Sequence, residues 1–258
     1  MTRTVPSAAV LALLLASGCA IGPVAQPPAR VPLLLTAVSK VTTPNPSSGL
    51  RRRVLGRSVR GRVLVAWSLG PASAPRRLLV VGCIHGDEAA GIALSLALLR
   101  TSPPAGTEVT VVPDMNPDGL QAGTRQNAHG VDLSRNFPYL WQPLGHRGDQ
   151  QYAGTGPLSE PEVSRMAAFV ARLHPTVSVW FHQPVDVVDL SGGSVALERR
   201  FAQSAGMRLR RLTRYPGSAI GWQNAEQQGT TAFVVELPRP LGADRSAQVL
   251  RALQDLER

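Results

Sequence analysis

Lysine is nearly absent from this chain of 258 residues. Lys40 is the only one, so arginine carries almost the whole excess of 27 basic over 17 acidic side chains. Two accounts of that bias stand side by side: GC-rich coding, and a basic surface suited to anionic wall polymer or phospholipid. Aromatics are scarce, at 5%, and do not interleave with basic runs. That excludes a base-stacking surface, and no nucleic-acid partner is expected. Cysteine occurs twice, at Cys19 and Cys83. The two make no CxxC motif and no Cys-rich zinc finger, and no disulfide is expected. Long apolar runs are missing too: none approaches the roughly 20 residues that a bilayer-spanning helix needs. No internal repeat is visible. The 43% of hydrophobic residues is enough for one globular domain with a sizeable core.

The N-terminus has an organisation of its own. Residues 1–18 have the layout of a signal peptide: Arg3 is a short positive region, Ala8 to Ala16 is unbroken apolar sequence, and Ser17, Gly18 and Cys19 follow. A cysteine directly after Ser-Gly resembles a bacterial lipobox, in which that cysteine becomes lipid-modified. Ala16 stands where the pattern prefers Leu. A lipid anchor on Cys19, at the outer face of a bacterial cell membrane, is the first expectation. Plain secretion is the second, and a cytoplasmic protein with an apolar N-terminal helix the third. Residues 19–50 are rich in Pro and Ser and read as an extended tether.

From Arg51 onward the pattern is globular. Apolar runs predict strands near 63–69, 78–84, 108–113, 177–181, 208–213 and 230–236. Helical spacing predicts helices near 88–99, 160–173, 193–205 and 243–256. Gly86 or Asp87 is expected to start the first helix, and Ser159 to cap the second ahead of Pro161. Strands alternating with helices predict one α/β domain over 51–258, with a mixed, mostly parallel central β-sheet flanked by helices. Between Pro113 and Pro157 the chain is polar and Gly-rich, and Asn116-Pro117-Asp118-Gly119 within it reads as a turn. Loops of that length in a compact domain are usually functional.

The chemistry concentrates at strand ends. His85-Gly86-Asp87-Glu88 follows the apolar run ending at Ile84, His182 ends a run at Phe181, and Glu236 ends another at Val235. An imidazole and a carboxylate three residues apart are a ligand pair that suits Zn2+. Three such residues, each ending a strand-like run, point to one active site at the carboxyl edge of a sheet. His129, His146 and His174 lack comparable neighbours and are expected on loops. Asp114, Asp118 and Asp132 are expected to hold the long loop through backbone hydrogen bonds. Arg199, Arg200, Arg208, Arg210, Arg211 and Arg214 read as a solvated face.

Taken in order, His85-x-x-Glu88, Asn116-Pro117-Asp118-Gly119, Gly123-Thr124-Arg125, Asp132-Leu133-Ser134-Arg135-Asn136-Phe137-Pro138, Phe181-His182 and Val235-Glu236-Leu237-Pro238 resemble the zinc carboxypeptidase family. The closer resemblance is to its bacterial murein peptide amidase branch, with which Ser159-Glu160-Pro161-Glu162 and Pro216-Gly217-Ser218 with Trp222 also agree. The resemblance implies a zinc carboxypeptidase-like fold and one Zn2+ held by His85, Glu88 and His182. It implies Glu236 as general base, Arg125 facing the oxyanion, and Arg135 with Asn136 holding a substrate carboxylate. The substrate it implies is a murein peptide, cut between γ-D-glutamate and diaminopimelate. Ser134 departs from the pattern, which commonly has Asn there, and this bears on specificity. No residue corresponds clearly to the tyrosine that digestive carboxypeptidases place over substrate; Tyr215 is a candidate by proximity. Two rival readings remain open: a zinc deacylase of the succinylglutamate desuccinylase or aspartoacylase type, and a non-catalytic metal- or peptide-binding lipoprotein.

Overall fold

The computed structural model describes residues 49–256. The signal peptide, Cys19 and nearly all of the tether lie outside the described residues. Eight strands form one mixed sheet in the order β1-β2-β4-β3-β5-β8-β6-β7. They are β1 (Arg51–Arg57), β2 (Val63–Leu69), β3 (Arg76–Val81), β4 (Thr107–Val112), β5 (Val177–His182), β6 (Val187–Asp189), β7 (Arg208–Arg210) and β8 (Thr231–Glu236). The middle strands β4, β3, β5 and β8 run parallel, while β1, β2 and β6 introduce antiparallel pairings. The mixed sheet expected from the sequence is therefore present.

Period-two alternation divides the strands between two apolar layers. On one face Leu78, Val80, Val109, Val179, Phe181 and Phe233 pack against α1 (Ala90–Leu98), α4 (Val195–Ser204) and α6 (Ala243–Leu256). On the other, Leu79, Val81, Trp180 and Ala232 meet α3 (Pro161–Leu173) and α5 (Ala219–Glu226). The central strands are buried on both faces, which explains their unbroken apolar runs.

Several local expectations change. The first helix begins at Ala90, so Glu88 precedes it, on a turn closed by Glu88 N–H donating to the His85 carbonyl (2.9 Å). That turn leaves Glu88 free to face the same point as His85. The second helix is capped by Glu160, not Ser159, and makes no side-chain cap bond. Asn116-Pro117-Asp118-Gly119 is more than a turn: it opens the short helix α2 (Pro117–Ala122), with Asn116 as N-cap and Pro117 in its first turn. Asn116 Oδ1 accepts from Gly119 N–H (3.0 Å), and its amide nitrogen donates to the carbonyls of Ile84 and Arg125 (both 3.1 Å). One buried amide thus ties α2 to the stretches that carry His85 and Arg125.

The contact is close enough to require glycine. A Cβ on Gly86 would lie 1.9 Å from the Gly119 carbonyl carbon and 2.2 Å from Leu120 N. Backbone cannot yield as a side-chain tip can. Gly86→Ala is therefore expected to destabilise the fold by about 1–3 kcal/mol or more. Urea unfolding should show a lower midpoint at an unchanged slope, and an unchanged midpoint would refute the contact.

Candidate active site

Adjacent parallel strands bring the candidate residues together. β5 lies between β3 and β8, so the carboxyl ends of all three are neighbours. His182 and Glu236 are direct partners across the β5–β8 ladder. His85 comes from the loop that follows β3. His85 Nδ1 lies 2.9 Å from Glu88 Oε2, His182 Nδ1 lies 3.0 Å from the same oxygen, and the two Nδ1 atoms are 3.1 Å apart. These residues could hold one metal ion.

The donor set fits zinc on a further count. Ligands at about 2.0–2.1 Å from a tetrahedral ion stand about 3.3 Å from one another, close to the triangle seen. On its other side, His85 Nε2 meets Asp132 Oδ1 at 3.0 Å. The carboxylate needs a donor, so the ring proton is assigned to Nε2 and the Nδ1 lone pair faces Glu88. Lone pairs and a carboxylate pointing at one another call for a cation between them. Burial pushes the His85 pKa down, but Asp132 and Glu88 outweigh it and raise it from 6.5. Burial would likewise raise the Glu88 carboxyl, but the neighbouring imidazoles of His182 and His85 hold it well below the usual carboxylate range.

A second layer holds the first. Asp132 is fully buried; burial opposes its charge, and His85, Arg125 and Arg135 reverse that and keep it strongly ionised. Arg125 donates to Asp132 Oδ2 through Nε and Nη2 (3.0 and 2.9 Å) and to Glu88 Oε1 through Nη1 (3.0 Å). Ser134 Oγ donates to Asp132 Oδ1 (2.8 Å) and lies 3.1 Å from His85 Nε2. Ser134, where the resemblance leads one to expect Asn, thus sits behind His85.

A cavity of about 310 Å3 opens in front of this cluster, bordered by His182, Glu88, Arg125, Arg135 and Glu236. Glu236 Oε2 is buried without a hydrogen-bond partner among the described residues, and burial raises its pKa above 4.5. It does not pair with the nearby Arg239, whose Nη2 donates to the Asp87 carbonyl. Arg135 Nε is also buried and unbonded, and burial lowers the pKa of its guanidinium although Asp132 opposes this. The ring of Tyr215 covers it, 4.3 Å from Cζ to the centroid. Asn136 is the exception among the expected site residues. It is fully buried, donates to the carbonyls of Ala153 and Gly156 (2.8 and 2.9 Å), and accepts from Glu160 N–H (3.1 Å). It pins the far end of the long loop and does not border the cavity.

Sequence reasoning missed two features. Asp132 does accept a backbone bond, from Ser134 N–H (2.9 Å), as expected, but its place behind His85 was not foreseen. Its position within the Asp-Leu-Ser-Arg motif was the available signal. Arg214 was assigned to a solvated face, yet it borders the cavity. His129, His146 and His174 lie away from the cluster: His129 bonds Glu160 (2.8 Å), His146 is exposed, and His174 ends α3.

A family described as zinc carboxypeptidase matches residues 45–205. Murein peptide amidase A of Escherichia coli K12 is 35% identical over 145 residues, covering 52% of this chain and 60% of that protein. Murein peptide amidase A of Vibrio campbellii is 33% identical over 202 residues, 73% of this chain and 79% of that protein. Among solved structures, murein-tripeptide amidase of Escherichia coli O157 superposes with a TM-score of 0.65 at 31% identity, covering 80% of this chain and 91% of that one. Bovine thrombin-activatable fibrinolysis inhibitor gives 0.73 at 17% identity over 87% of this chain and 94% of that one, a likeness of fold alone. The family match stops short of Glu236.

Replacing Asp132 with Asn keeps the shape but removes the charge behind His85. The expected result is one zinc per chain in the wild type and an affinity about 10–100-fold weaker in Asp132→Asn. Competition against a chelating dye reads this directly, and equal affinities would remove Asp132 from the role.

Proposed function

The chain belongs to the zinc carboxypeptidase family, and from that premise we propose that it is a zinc-dependent peptidase or amidase. The observation that carries the reading is the convergence of His85, Glu88 and His182 at the mouth of a cavity that also exposes Glu236 and Arg135. Zinc held by the three would supply Lewis acidity, which lets water attack an amide near neutral pH. Glu236, whose Oε2 has no hydrogen-bond partner among the described residues, takes the proton from the attacking water and passes it to the leaving amine. Arg125 lies beside the metal ligands, where negative charge develops on the carbonyl oxygen; losing one such donor typically costs about 2.7–4 kcal/mol. Arg135 holds a free carboxylate next to the scissile bond, with its own position steadied by Tyr215 and Asp132.

Cell-wall peptides are the proposed substrate class. The relatives named for murein support this, as does an export signal over residues 1–18, with or without a lipid on Cys19. The bond proposed is the one between γ-D-glutamate and diaminopimelate. The test is mass spectrometry of purified muropeptides incubated with the protein, with and without chelator, alongside a panel of N-acyl amino acids. Cleavage of acyl amino acids alone would favour the deacylase reading, and zinc binding without cleavage of any amide would favour a binding lipoprotein.

Glu236→Gln should lose about 10²–10⁴-fold in turnover while keeping its zinc. The base works only when deprotonated, so activity should rise with pH through a limb lying above 4.5, where burial has moved this carboxyl. Turnover unchanged in the variant would end the assignment.

A further inference from the structure

Beyond the metal cluster the cavity has a second polar feature that the reaction described above does not use. Its lining includes the apolar residues Leu212, Ile220 and Val234, and also the ion pair of Asp189 and Arg214. Asp189 ends β6, is 2% exposed, and has both oxygens engaged. Oδ1 accepts from Leu212 N–H (2.8 Å); Oδ2 accepts from Ser191 Oγ (2.7 Å) and from Arg214 Nη1 (2.6 Å). Arg214 Nη2 donates to the Leu190 carbonyl. A guanidinium has five N–H donors, so Arg214 keeps unused donors, while the carboxylate that holds it already accepts three hydrogen bonds. Its side chain is 45% exposed. The feature offered to a ligand is therefore a fixed donor fork, which suits an acceptor with negative charge. Arg214 and Tyr215 also border a neighbouring cavity of about 560 Å3, so a long side chain is not walled off there.

We infer that Arg214, positioned by Asp189, is a specificity-determining residue that reads a second acidic group, carried on the side chain of the residue whose main carboxylate Arg135 holds. The apolar lining residues accommodate the aliphatic stem and the fork takes the head. This rests on the peptidase reading, and it names the preferred substrates of that site as amides of amino acids with an acid-ended aliphatic side chain.

The experiment compares two γ-glutamyl dipeptides with the zinc-loaded protein. They differ only in whether the released 2-aminopimelate has a free side-chain carboxylate or its carboxamide. The wild type should favour the acid by about 10–100-fold in kcat/KM, chiefly through KM. Arg214→Gln alone would leave Asp189 buried and unpaired, so the informative variant combines it with Asp189→Asn; there the acid should lose its advantage. Arg214→Lys keeps a charge beside Asp189 but lacks the fork, and should retain only part of it. Equal kcat/KM in the wild type, or a preference that survives the double substitution, overturns the inference. If neither dipeptide is cleaved, the peptidase reading fails and the inference is judged separately by calorimetry. Free 2-aminopimelate binding more tightly than its side-chain amide, with the difference lost in the double variant, would uphold it; equal binding would overturn it.

Discussion

Two imidazole nitrogens and a carboxylate oxygen stand about 3 Å apart. With the His85 proton on Nε2, as its contact with Asp132 requires, His85 Nδ1 and the Glu88 oxygen are two acceptors that do not attract one another. Much of the surrounding architecture restrains them. Asp132 pulls on the back of His85, Arg125 takes the outer oxygen of Glu88, and the Gln183 N–H steadies the inner one at 3.2 Å. Each restraint is electrostatic and nearly dry, so each is stronger than it would be in water. A divalent ion held between them would relieve that repulsion, and its binding would then be coupled to folding.

The sheet is what makes those restraints possible with so few residues. Three parallel strands ending side by side deliver His85, His182 and Glu236 to one edge without any long excursion of chain. The remaining parts come from the loop region between β4 and α3, which is not a free loop. Asn116 anchors its start, Asn136 anchors its end, and the 3-10 turn at Leu133–Arg135 presents Arg135 between them. Both asparagines are fully buried and act through backbone carbonyls, so their amides substitute for ladder hydrogen bonds in a stretch that has none.

Much of this was legible in the residues. The central strands announce themselves because burial on both faces demands unbroken apolar runs, and β2 lies at 63–69 as read. His85, His182 and Glu236 were legible because each follows such a run, and Glu88 because it stands three residues after His85. What stayed hidden has physical reasons. The edge strand β1 is Arg-rich and largely exposed, so it shows no apolar pattern. β6 is three residues long, too short for any periodicity. α5 was masked by the Pro-Gly-Ser ahead of it, although Ser218 is its N-cap. Asn136 was read as a substrate contact because it adjoins Arg135 in sequence. The chain leaves the 3-10 turn at Asn136, and Arg135 borders the cavity while Asn136 does not. Arg214 looked like one of six similar arginines; only Asp189, distant by 25 positions, distinguishes it.

The scarcity of lysine has a counterpart at the cavity, where every fixed cation is a guanidinium: Arg125, Arg135 and Arg214. Guanidinium groups stay protonated at any pH a folded protein survives. The positive charge that these three side chains bring to the cavity therefore does not change with pH. Reagents that acylate amines would find no target along these walls, whereas dicarbonyls that condense with arginine would find three.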